Sequence, residues 1–313
     1  MSKYLVTGGA GFIGSHLVDR LLSEGHKVVV LDNFYTGRWE NVEHHSLNDK
    51  FQILPGSILD KQLLYTLMGD IDAVIHLAAI VSIQDCENKN RFSTLTNFDA
   101  TIKLLHVAID RGVKKFIFAS SSAVYGDQKV MPIKEGCDLS IISNYGVQKR
   151  SCEEFIDMLN YFEDKSVIYR FFNVYGPRQD PSSQYSGVIS KFINNLLENK
   201  QSTIYGDGKQ TRDFVYVEDL VRIISEHGLQ TDKSGVYNIG TGIPTSIESL
   251  YMYLASLMDS KSVNLKYENE RQGDIKHSVA DISKLMSDLK DFKFTSMESG
   301  LKKTINFYKE VNK

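Results

Sequence analysis

The stretch VTGGAGFIGSHL, residues 6–17, decides the fold because it joins a short apolar run to a helical pattern through closely spaced glycines. Gly8, Gly11 and Gly14 suit a tight turn, close approach of the backbone to a pyrophosphate, and close packing of a helix on a strand. Glycines also mark ordinary strand-to-helix turns, so the surrounding sequence must support this interpretation. The stretch predicts the first strand, turn and helix of a dinucleotide-binding sheet.

Short apolar runs alternate with helical patterns through the first half of the chain. The runs are YLVT (4–7), VVVLD (28–32), FQILP (51–55), AVIHLAA (73–79), KFIFAS (115–120) and SVIYRFF (166–172). Runs that are apolar on both faces are typical of buried parallel strands. Apolar residues recur at helical spacing in residues 13–25, 92–112 and 144–162. The alternation predicts an α/β fold with a doubly wound parallel sheet of the Rossmann type.

The pattern becomes irregular after residue 173. A loop rich in Pro, Gly, Ser and Gln is followed by a predicted helix at 187–200, and YNIGTG (237–242) predicts a further strand and turn. We therefore expect a NAD-binding domain at 1–173, which also receives a segment near 212–245. Residues 174–313 are expected to form a smaller, discontinuous α/β lobe that binds the substrate.

Composition narrows the class of partner. The 313 residues carry a net charge of -3 without a basic run, which argues against nucleic acid or an anionic membrane and favours a small molecule. Three cysteines without a C-x-x-C pair indicate neither a disulfide framework nor a zinc site, and no metal is expected. A basic leader and an apolar run of membrane-spanning length are both lacking, so we expect a cytoplasmic protein.

Asp32 ends the second predicted strand, 18 residues after Gly14. A carboxylate at this place accepts hydrogen bonds from the adenine ribose hydroxyls and repels a 2'-phosphate. Asp32 therefore predicts NAD rather than NADP as the cofactor. FAD, or no dinucleotide at all, are the alternatives.

Tyr145 and Lys149 lie four residues apart in a predicted helix, so their side chains share one helical face. Ser120, Ser121 and Ser122 end the fifth strand, at the sheet edge where ligands of doubly wound folds bind. An accidental surface pair and a hydrogen-bonded serine turn are the ordinary alternatives. The functional interpretation is that a phenol, a hydroxyl and an ammonium meet over a nicotinamide.

Tyr145 would act as the general base of such a site. A free phenol has a pKa near 10, and lowering it by ~3 units requires about 4 kcal/mol of stabilisation of the phenolate. We expect the Lys149 ammonium and the positive nicotinamide ring to supply this. Ser121 would hold the reacting hydroxyl, so that the trio removes a proton from an alcohol while the cofactor takes a hydride.

Seven segments in order give the chain a family resemblance. They are TGGAGFIG, SSS-x-VYG, Tyr-x-x-x-Lys, RFFNVYGPRQ, GDGKQTRDFVYVEDL, YNIGTG and RQGDIKHSVADISK. Together they span nearly the whole chain and resemble the extended short-chain dehydrogenase/reductase family, and within it the nucleotide-sugar 4-epimerases. Where relatives often carry Gly-Asp after the third strand, this chain has Gly56 and Ser57.

The resemblance implies roles for individual residues. It makes Ser121, Tyr145 and Lys149 catalytic. The residues that it places around NAD are Gly8, Gly11, Phe12, Ile13, Gly14, Asp32, Asn33, Ser57, Ile58, Leu77, Ala78, Ala79, Tyr145, Lys149 and Phe172. The residues that it places around the nucleotide sugar are Ser122, Asn173, Arg212, Arg271, Asp274 and Ser278. Relatives pair through helices that correspond to 92–112 and 144–162, which implies a homodimer.

The implied reaction is NAD-dependent C4 epimerisation of a UDP-hexose through a transient 4-keto sugar. Related dehydratases carry an ionisable Asp-Glu pair where this chain has Ser122 and Ala123, which disfavours elimination. In the epimerases a small residue four positions after the Asp of R-x-G-D admits a 2-N-acetyl group. Here that residue is Ser278, which predicts UDP-N-acetylglucosamine and UDP-N-acetylgalactosamine, alongside UDP-glucose and UDP-galactose.

Two alternatives remain open. One is another nucleotide-sugar enzyme on the same scaffold, either a dehydratase or a uronate decarboxylase. The other is a non-catalytic NAD-binding regulatory module, against which the intact Ser, Tyr and Lys argue.

Overall fold

The computed structural model describes residues 1–159, 165–181, 187–260, 264–270 and 274–311. In chain order the strands are β1 Lys3–Thr7, β2 Lys27–Asp32, β3 Phe51–Pro55, β4 Ala73–His76, β5 Lys115–Ser121, β6 Ser166–Phe171, β7 Asn173–Tyr175, β8 Ser202–Tyr205, β9 Thr211–Tyr216, β10 Gly235–Ile239, β11 Pro244–Ser246, β12 Leu265–Glu268 and β13 His277–Ser278. The α-helices are α1 Phe12–Ser23, α2 Lys61–Leu67, α3 Ile83–Asn88, α4 Asn90–Thr94, α5 Ala100–Asp110, α6 Asn144–Leu159, α7 Val188–Leu197, α8 Val217–Ile223, α9 Ile247–Leu257, α10 Ser283–Asp288 and α11 Met297–Val311. Short 3₁₀ turns are Trp39–Asn41, Glu43–His45 and Ser122–Val124, and π-helical segments are Leu95–Asp99 and Ile224–Leu229.

A seven-stranded sheet has the strand order β10-β6-β5-β4-β1-β2-β3. Neighbouring strands from β3 to β5 run parallel, and Val6 of β1 lies opposite Val30 of β2 and Ile75 of β4. Parallel neighbours need crossover connections, which the intervening helices supply. The predicted doubly wound parallel sheet is therefore confirmed.

Both faces of this sheet are buried. Leu5, Val29 and Leu31 pack in one cluster with residues of α2, α5 and α6. Val6 and Val30, at the alternate positions, are also fully buried, and successive strand side chains point to opposite faces. This two-sided burial is the physical reason why the strands read as continuous apolar runs.

The predicted helices correspond to helices of the structure. The pattern at 13–25 forms α1, and the pattern at 92–112 is formed by α4, the π-helical segment 95–99 and α5 in succession. The predicted helix 187–200 forms α7. The pattern at 144–162 forms α6 as far as Leu159, and its last three residues lie outside the described ranges.

The chain forms two compact units. The first comprises residues 1–124, 143–170 and 221–237, and the second comprises residues 125–142, 171–220 and 238–313. Residues 125–142, 171–173, 212–220 and 238–245 thus group with the second unit, whereas the sequence analysis assigned them to the NAD-binding domain. The functional division of the chain at residue 173 stays a proposal.

The second unit contains two small sheets. In one, β9 pairs with β7, β11 and β13, and in the other β8 pairs with β12. Asp213 of β9 is fully buried and accepts hydrogen bonds from the backbone N–H groups of Thr241, Gly242 and Ala280 and from the Thr241 hydroxyl. One carboxylate of β9 therefore holds the turn after β10 and the segment after β13 by hydrogen bonds.

No helix within the described ranges is long and apolar enough to cross a bilayer.

Candidate active site

The glycine loop joins β1 to α1 in a backbone path that only glycine allows. Gly8 has a φ of +72°, and a Cβ there would lie 2.9 Å from the Ala78 nitrogen. A Cβ on Gly14 would lie 2.1 Å from the Gly8 oxygen. Gly11 is the N-cap of α1 and brings no side chain that could satisfy the N–H groups of the first turn. N–H groups placed in this way can hold a pyrophosphate at the positive end of the helix, so the loop is a candidate cradle for one.

Asp32, at the end of β2, is 7% exposed. Its two carboxylate oxygens accept hydrogen bonds of 2.9 Å from the backbone N–H groups of Ala10 and Phe34. Burial raises the pKa of Asp32, and these two hydrogen bonds lower it. Because each carboxylate oxygen can accept more than one hydrogen bond, Asp32 can also accept from ribose hydroxyls.

Most of the other predicted NAD residues of the first unit follow the carboxyl ends of strands β1 to β4. Asn33 is exposed after β2, and Ser57 and the buried Ile58 follow β3. The Ser57 hydroxyl oxygen accepts a hydrogen bond from the Leu59 nitrogen at 3.2 Å. Phe12 and Ile13 are half-buried in the first turn of α1.

Leu77, Ala78 and Ala79 follow β4 and are half-buried. The Leu77 nitrogen donates to the Thr7 carbonyl at 3.2 Å, and the Ala78 nitrogen donates to the Thr7 hydroxyl oxygen at 3.3 Å. These bonds place the segment after β4 beside the start of the glycine loop. Phe172 belongs to the second unit, where its nitrogen donates to the Ile239 carbonyl at 2.9 Å.

A buried histidine, His76, contacts Thr7 at the start of the glycine loop. The Thr7 hydroxyl is 2.7 Å from His76 Nδ1, and His76 Nε2 is 2.8 Å from the Thr101 hydroxyl. Because the Thr101 hydroxyl donates its proton to the Asn97 carbonyl, its oxygen accepts from the Nε2–H of His76. Burial, followed by the charge of Lys149, lowers the pKa of His76 to about 3. Sequence analysis missed this neutral histidine, which reads as one more residue of an apolar strand.

The structure brings Ser121, Tyr145 and Lys149 together. Ser121 ends β5, and Tyr145 and Lys149 lie one turn apart near the start of α6. The Ser121 side chain lies close enough to the Tyr145 hydroxyl to lower the pKa of the phenol. Lys149 Nζ donates to the Ala119 carbonyl at 2.7 Å and lies 5.9 Å from the centre of the Tyr145 ring. Tyr145 is 8% exposed and Lys149 is 2% exposed.

Burial shifts the two ionisable groups of the trio toward their neutral forms. It raises the pKa of Tyr145, an effect that the Ser121 side chain opposes, and it lowers the pKa of Lys149 to about 8. By themselves, the protein side chains therefore raise the pKa of Tyr145 instead of lowering it as expected. The reason is that removing a phenolate from water costs more free energy than the Ser121 side chain returns, while the Lys149 ammonium donates to a carbonyl.

Glu153 connects the two elements that carry the trio. It is 1% exposed and accepts hydrogen bonds from the Ser120 hydroxyl and from Arg170, whose Nε and Nη2 lie 3.0 and 2.7 Å from its two oxygens. Arg150 Nη1 adds a third donor residue at 3.0 Å. Sequence analysis missed Glu153. The available signal was its place four residues after Lys149, on the same face of α6.

The predicted substrate residues are divided between the units. Ser122 lies in the first unit, in the turn after β5. In the second unit Asn173 Nδ2 donates to the Asp213 carbonyl at 3.2 Å. Ser278 is 7% exposed. Arg271 lies outside the described residues.

Arg212 is held in place by Asp274, which accepts a hydrogen bond from Nη2. Arg212 Nη1 also donates to the Thr211 carbonyl at 2.9 Å. Burial lowers the pKa of Arg212, and Asp274 raises it. Ser278 of β13 lies opposite Arg212 of β9 in the parallel pairing of these strands. Arg212, Asp274 and Ser278 are therefore grouped within the second unit.

Asn173 also lines a cavity of about 200 Å³ in the second unit. The lining residues are Asn173, Val174, Tyr175, Gln179, Gly187, Val188, Ile189 and Phe214. The Gln179 side-chain oxygen is buried and has no hydrogen-bond partner among the described residues. The cavity thus has a mixed polar and apolar lining, with a carboxamide oxygen that can accept a hydrogen bond from a ligand.

Comparison with known proteins connects this geometry to a family. Residues 4–240 match the epimerase family model, which is described as the NAD dependent epimerase/dehydratase family. Among solved structures, the chain is similar to the UDP-N-acetylglucosamine 4-epimerase from Methanobrevibacter ruminantium in complex with UDP-N-acetylmuramic acid. The two share 37% identity and a TM-score of 0.93 over 99% of each chain. The UDP-glucose 4-epimerase from Thermotoga maritima with UDP-glucose gives 34% identity and a TM-score of 0.92, over 99% of this chain and 100% of that one.

A curated relative carries a different activity. The UDP-N-acetyl-alpha-D-glucosaminuronate decarboxylase of Bacillus cytotoxicus is 36% identical over 99% of this chain and 98% of its own. The matches therefore include enzymes that invert a sugar carbon and an enzyme that removes carbon dioxide.

These matches confirm the predicted resemblance and the prediction of NAD at the level of the family. They also confirm a nucleotide-sugar-modifying enzyme as the functional class. The cradle at Gly8, Gly11 and Gly14 and the carboxylate of Asp32 agree with the dinucleotide that the family uses. On its sequence match and its fold, the chain belongs to the NAD dependent epimerase/dehydratase family.

Proposed function

We propose that this chain interconverts the C4 epimers of a UDP-hexose with NAD, through a transient 4-keto sugar. The observation that carries the proposal is the burial of Tyr145 and Lys149 beside Ser121, with Lys149 Nζ 5.9 Å from the centre of the Tyr145 ring. This trio can remove a proton from an alcohol and return it. Ser122 and Ala123, which follow Ser121, cannot ionise and so provide no second acid–base pair for eliminating water.

The residues of the first unit fit the cofactor. The glycine cradle would hold the pyrophosphate, and Asp32 would hold the adenine ribose. When bound, NAD supplies the acceptor for the hydride of C4 and later its donor. Every proton movement then falls to side chains of the chain itself.

Tyr145 exchanges the proton of the C4 hydroxyl. Its raised pKa keeps the phenol neutral until the positive charges of the site favour the phenolate. With NAD bound, the phenolate form of Tyr145 would take the O4 proton as C4 is oxidised, and the resulting phenol would return it when the 4-keto group is reduced on the opposite face of the sugar. Ser121 holds the hydroxyl oxygen, and Lys149, with a pKa of about 8, is mainly an ammonium at neutral pH.

Residues of the second unit are suited to binding a nucleotide sugar. Asn173 and Arg212 bring an amide and a guanidinium that suit a diphosphate, and we propose that Arg271 joins them. Two relatives were solved with UDP-sugars, which supports UDP as the carrier. We propose that Ser278 leaves room for a 2-N-acetyl group, so that UDP-N-acetylglucosamine and UDP-N-acetylgalactosamine are substrates, alongside UDP-glucose and UDP-galactose.

Decarboxylation of a UDP-uronate is the second candidate, and the Bacillus cytotoxicus relative supports it. The same trio would oxidise C4, and the resulting β-keto acid would lose carbon dioxide. The substrates differ in whether C6 is a hydroxymethyl group or a carboxylate, and only the second reaction loses carbon dioxide, so the products differ in mass.

The test uses purified protein with each of UDP-glucose, UDP-galactose, the two UDP-N-acetylhexosamines and UDP-glucuronate. Anomeric proton NMR follows the products, and mass spectrometry measures their mass. We expect C4 epimers of unchanged mass from the neutral sugars. Loss of carbon dioxide from UDP-glucuronate, with the neutral sugars left unchanged, would replace epimerisation by the second candidate.

The proposed role of Ser278 in selecting the sugar is tested with a separate pair of variants. Ser278→Tyr is expected to lower turnover of UDP-N-acetylglucosamine at least tenfold while leaving that of UDP-glucose within about twofold, because a large ring displaces the acetyl group. Ser278→Ala, which stays small, is expected to retain both activities. If Ser278→Tyr lowers both activities equally, Ser278 does not select the sugar.

A further inference from the structure

Three metal-ligating side chains meet in the first unit, outside the proposed active site. His44 Nε2 lies 2.9 Å and His45 Nε2 lies 2.7 Å from the same carboxylate oxygen of Asp19. The three ligand atoms all lie within 4.8 Å of one another. Asp19 belongs to α1, and the two histidines belong to the 3₁₀ turn Glu43–His45.

Neighbouring groups fix the directions of the imidazoles. The His44 and His45 rings have their centres 4.1 Å apart, and the His45 ring packs on Phe51 of β3 at 5.6 Å. The side chains of Asp19, His44 and His45 are 31%, 46% and 16% exposed. The cluster is therefore oriented by packing and is still open to solvent on one side.

Two imidazole nitrogens and a carboxylate oxygen form a donor set that Zn²⁺ and other first-row divalent metals prefer. Zinc bonds of about 2.0–2.1 Å in a tetrahedral site separate neighbouring ligand atoms by roughly 3.4 Å. The hydrogen-bonded cluster is tighter than this, and shifts of about half an ångström in the partly exposed side chains would open it. Water would complete the coordination.

We propose that Asp19, His44 and His45 form a binding site for a divalent transition metal ion such as Zn²⁺. The ion would take the place of the two N–H···O hydrogen bonds, with each neutral imidazole carrying its proton on Nδ1. The proposal does not depend on the proposed function.

A bound ion would connect two elements that border the glycine loop. α1 begins at that loop, and Asn41, in the turn that precedes His44, donates through Nδ2 to the Ala10 carbonyl at 2.8 Å. Asp19 lies on α1, and the histidines lie in the turn that follows Asn41. Cross-linking them stabilises the folded chain, because the ion binds only when both elements are in place.

The test titrates Zn²⁺ into tag-free full-length protein, stripped of metal with a chelator, by isothermal calorimetry. We expect one ion per chain with micromolar affinity, and a melting temperature that rises with the concentration of Zn²⁺. The double variant His44→Gln/His45→Gln is expected to lose at least 100-fold in affinity and to show no rise in melting temperature. Asp19→Asn is expected to weaken binding about tenfold.

Two matched controls separate this cluster from other metal-binding groups. His106 is an exposed histidine of α5, and Cys137 is half-buried. His106→Gln and Cys137→Ser are expected to bind Zn²⁺ like the unmodified chain. Far-ultraviolet circular dichroism verifies that each variant is folded, and the histidine variants alone carry the test if Asp19→Asn does not fold.

Co²⁺ gives a readout at the ligands themselves. In the unmodified chain we expect visible absorption bands of a Co²⁺ site with imidazole ligands, and in the double histidine variant we expect the spectrum of hydrated Co²⁺. Zn²⁺ affinity in the double variant equal to that of the unmodified chain would overturn the proposal, as would equal loss of affinity in His106→Gln.

Discussion

Burial shifts the pKa values of Tyr145 and Lys149 in opposite directions: it raises the pKa of the phenol and lowers that of the ammonium. Replacing the phenol by a phenyl ring in Tyr145→Phe removes the exchangeable proton but keeps the packing with Ile80 and Cys86. We expect kcat for epimerisation to fall about 10²–10⁴-fold, the usual contribution of a general acid–base. NMR of the anomeric protons measures the rate, and an unchanged melting temperature confirms the fold. Activity within tenfold of the unmodified chain would exclude Tyr145 from proton transfer.

His76 makes stability depend on pH in the acid range. Its pKa is about 3 in the folded chain, against an ordinary value of 6.5, so the unfolded chain binds the extra proton between these values. Stability from this group is complete above pH 6.5 and is lost as the pH falls toward 3, by up to about 1.4 kcal/mol per pH unit. Urea unfolding at pH 7.0 and 5.5 measures the slope. His76→Gln should remove most of this pH dependence, which amounts to about 1.3 kcal/mol between pH 7.0 and 5.5.

At the residue scale, the sequence predicts those functional residues whose positions follow from spacing along the chain. Asp32 could be recognised from its place at the end of a strand, and Tyr145 with Lys149 from their helical spacing. The raised pKa of Tyr145 could not be predicted, because it depends on how completely the fold removes the ring from water. The pairing of Arg212 with Asp274 depends on residues 62 apart in sequence, a distance over which no periodicity extends.

The glycine loop acts as a single element with β1 and α1. In Gly14→Ala the new methyl group would lie 2.1 Å from the Gly8 oxygen, so the backbone of the cradle must move. We expect NAD to be absent from the purified variant and the melting temperature to fall. Gly69→Ala is the matched control, since a Cβ there meets no atom within 4 Å. NAD released by heat denaturation can be measured by absorbance, and retention of full NAD content in Gly14→Ala would contradict this account of the loop.

Glu153 connects β5, α6 and β6 through Ser120 and Arg170. Glu153→Gln leaves the guanidinium of Arg170 buried without its carboxylate, which is expected to lower the free energy of unfolding by ~3–5 kcal/mol. Because Glu153 also raises the pKa of Lys149, the same variant should lower that pKa further. Glu154→Gln is the control, since its side chain is 57% exposed. Equal stability of the two variants in urea unfolding would show that the buried pair does not stabilise the fold.

At the element scale, the strands of the large sheet could be predicted because burial on both faces makes them apolar throughout. The strands β7, β11 and β13 have only three, three and two residues, too few to show a period. Their pairing with β9 comes from tertiary contacts such as those of Asp213. The sheet of the first unit could therefore be predicted from the sequence, whereas the strand pairing of the second unit could not.

At the scale of the whole molecule, we predict that two copies of the chain form a homodimer. The helical segments 90–110 and 144–159 expose Phe92, Leu95, Val147 and Met158, so an apolar surface is available on the elements that the resemblance assigns to a dimer. Light scattering after gel filtration should give twice the chain mass of 35.4 kDa. Val147→Glu should give the mass of one chain, because a carboxylate would be buried between copies. Val130→Glu, at an exposed valine of the second unit, should keep the double mass, and a single-chain mass for the unmodified protein would exclude the dimer.

The central claim is that C4 of the sugar is oxidised and reduced within one binding event, so the hydrogen at C4 must return to the carbon that it left. The most direct measurement incubates the protein with UDP-N-acetylglucosamine carrying deuterium at C4, and with UDP-glucose labelled in the same way, in ordinary water. We predict the C4 epimer with deuterium retained at C4, as observed by NMR and mass spectrometry. Recovery of unchanged substrate from both sugars, or an epimer whose C4 hydrogen comes from water, would contradict the account.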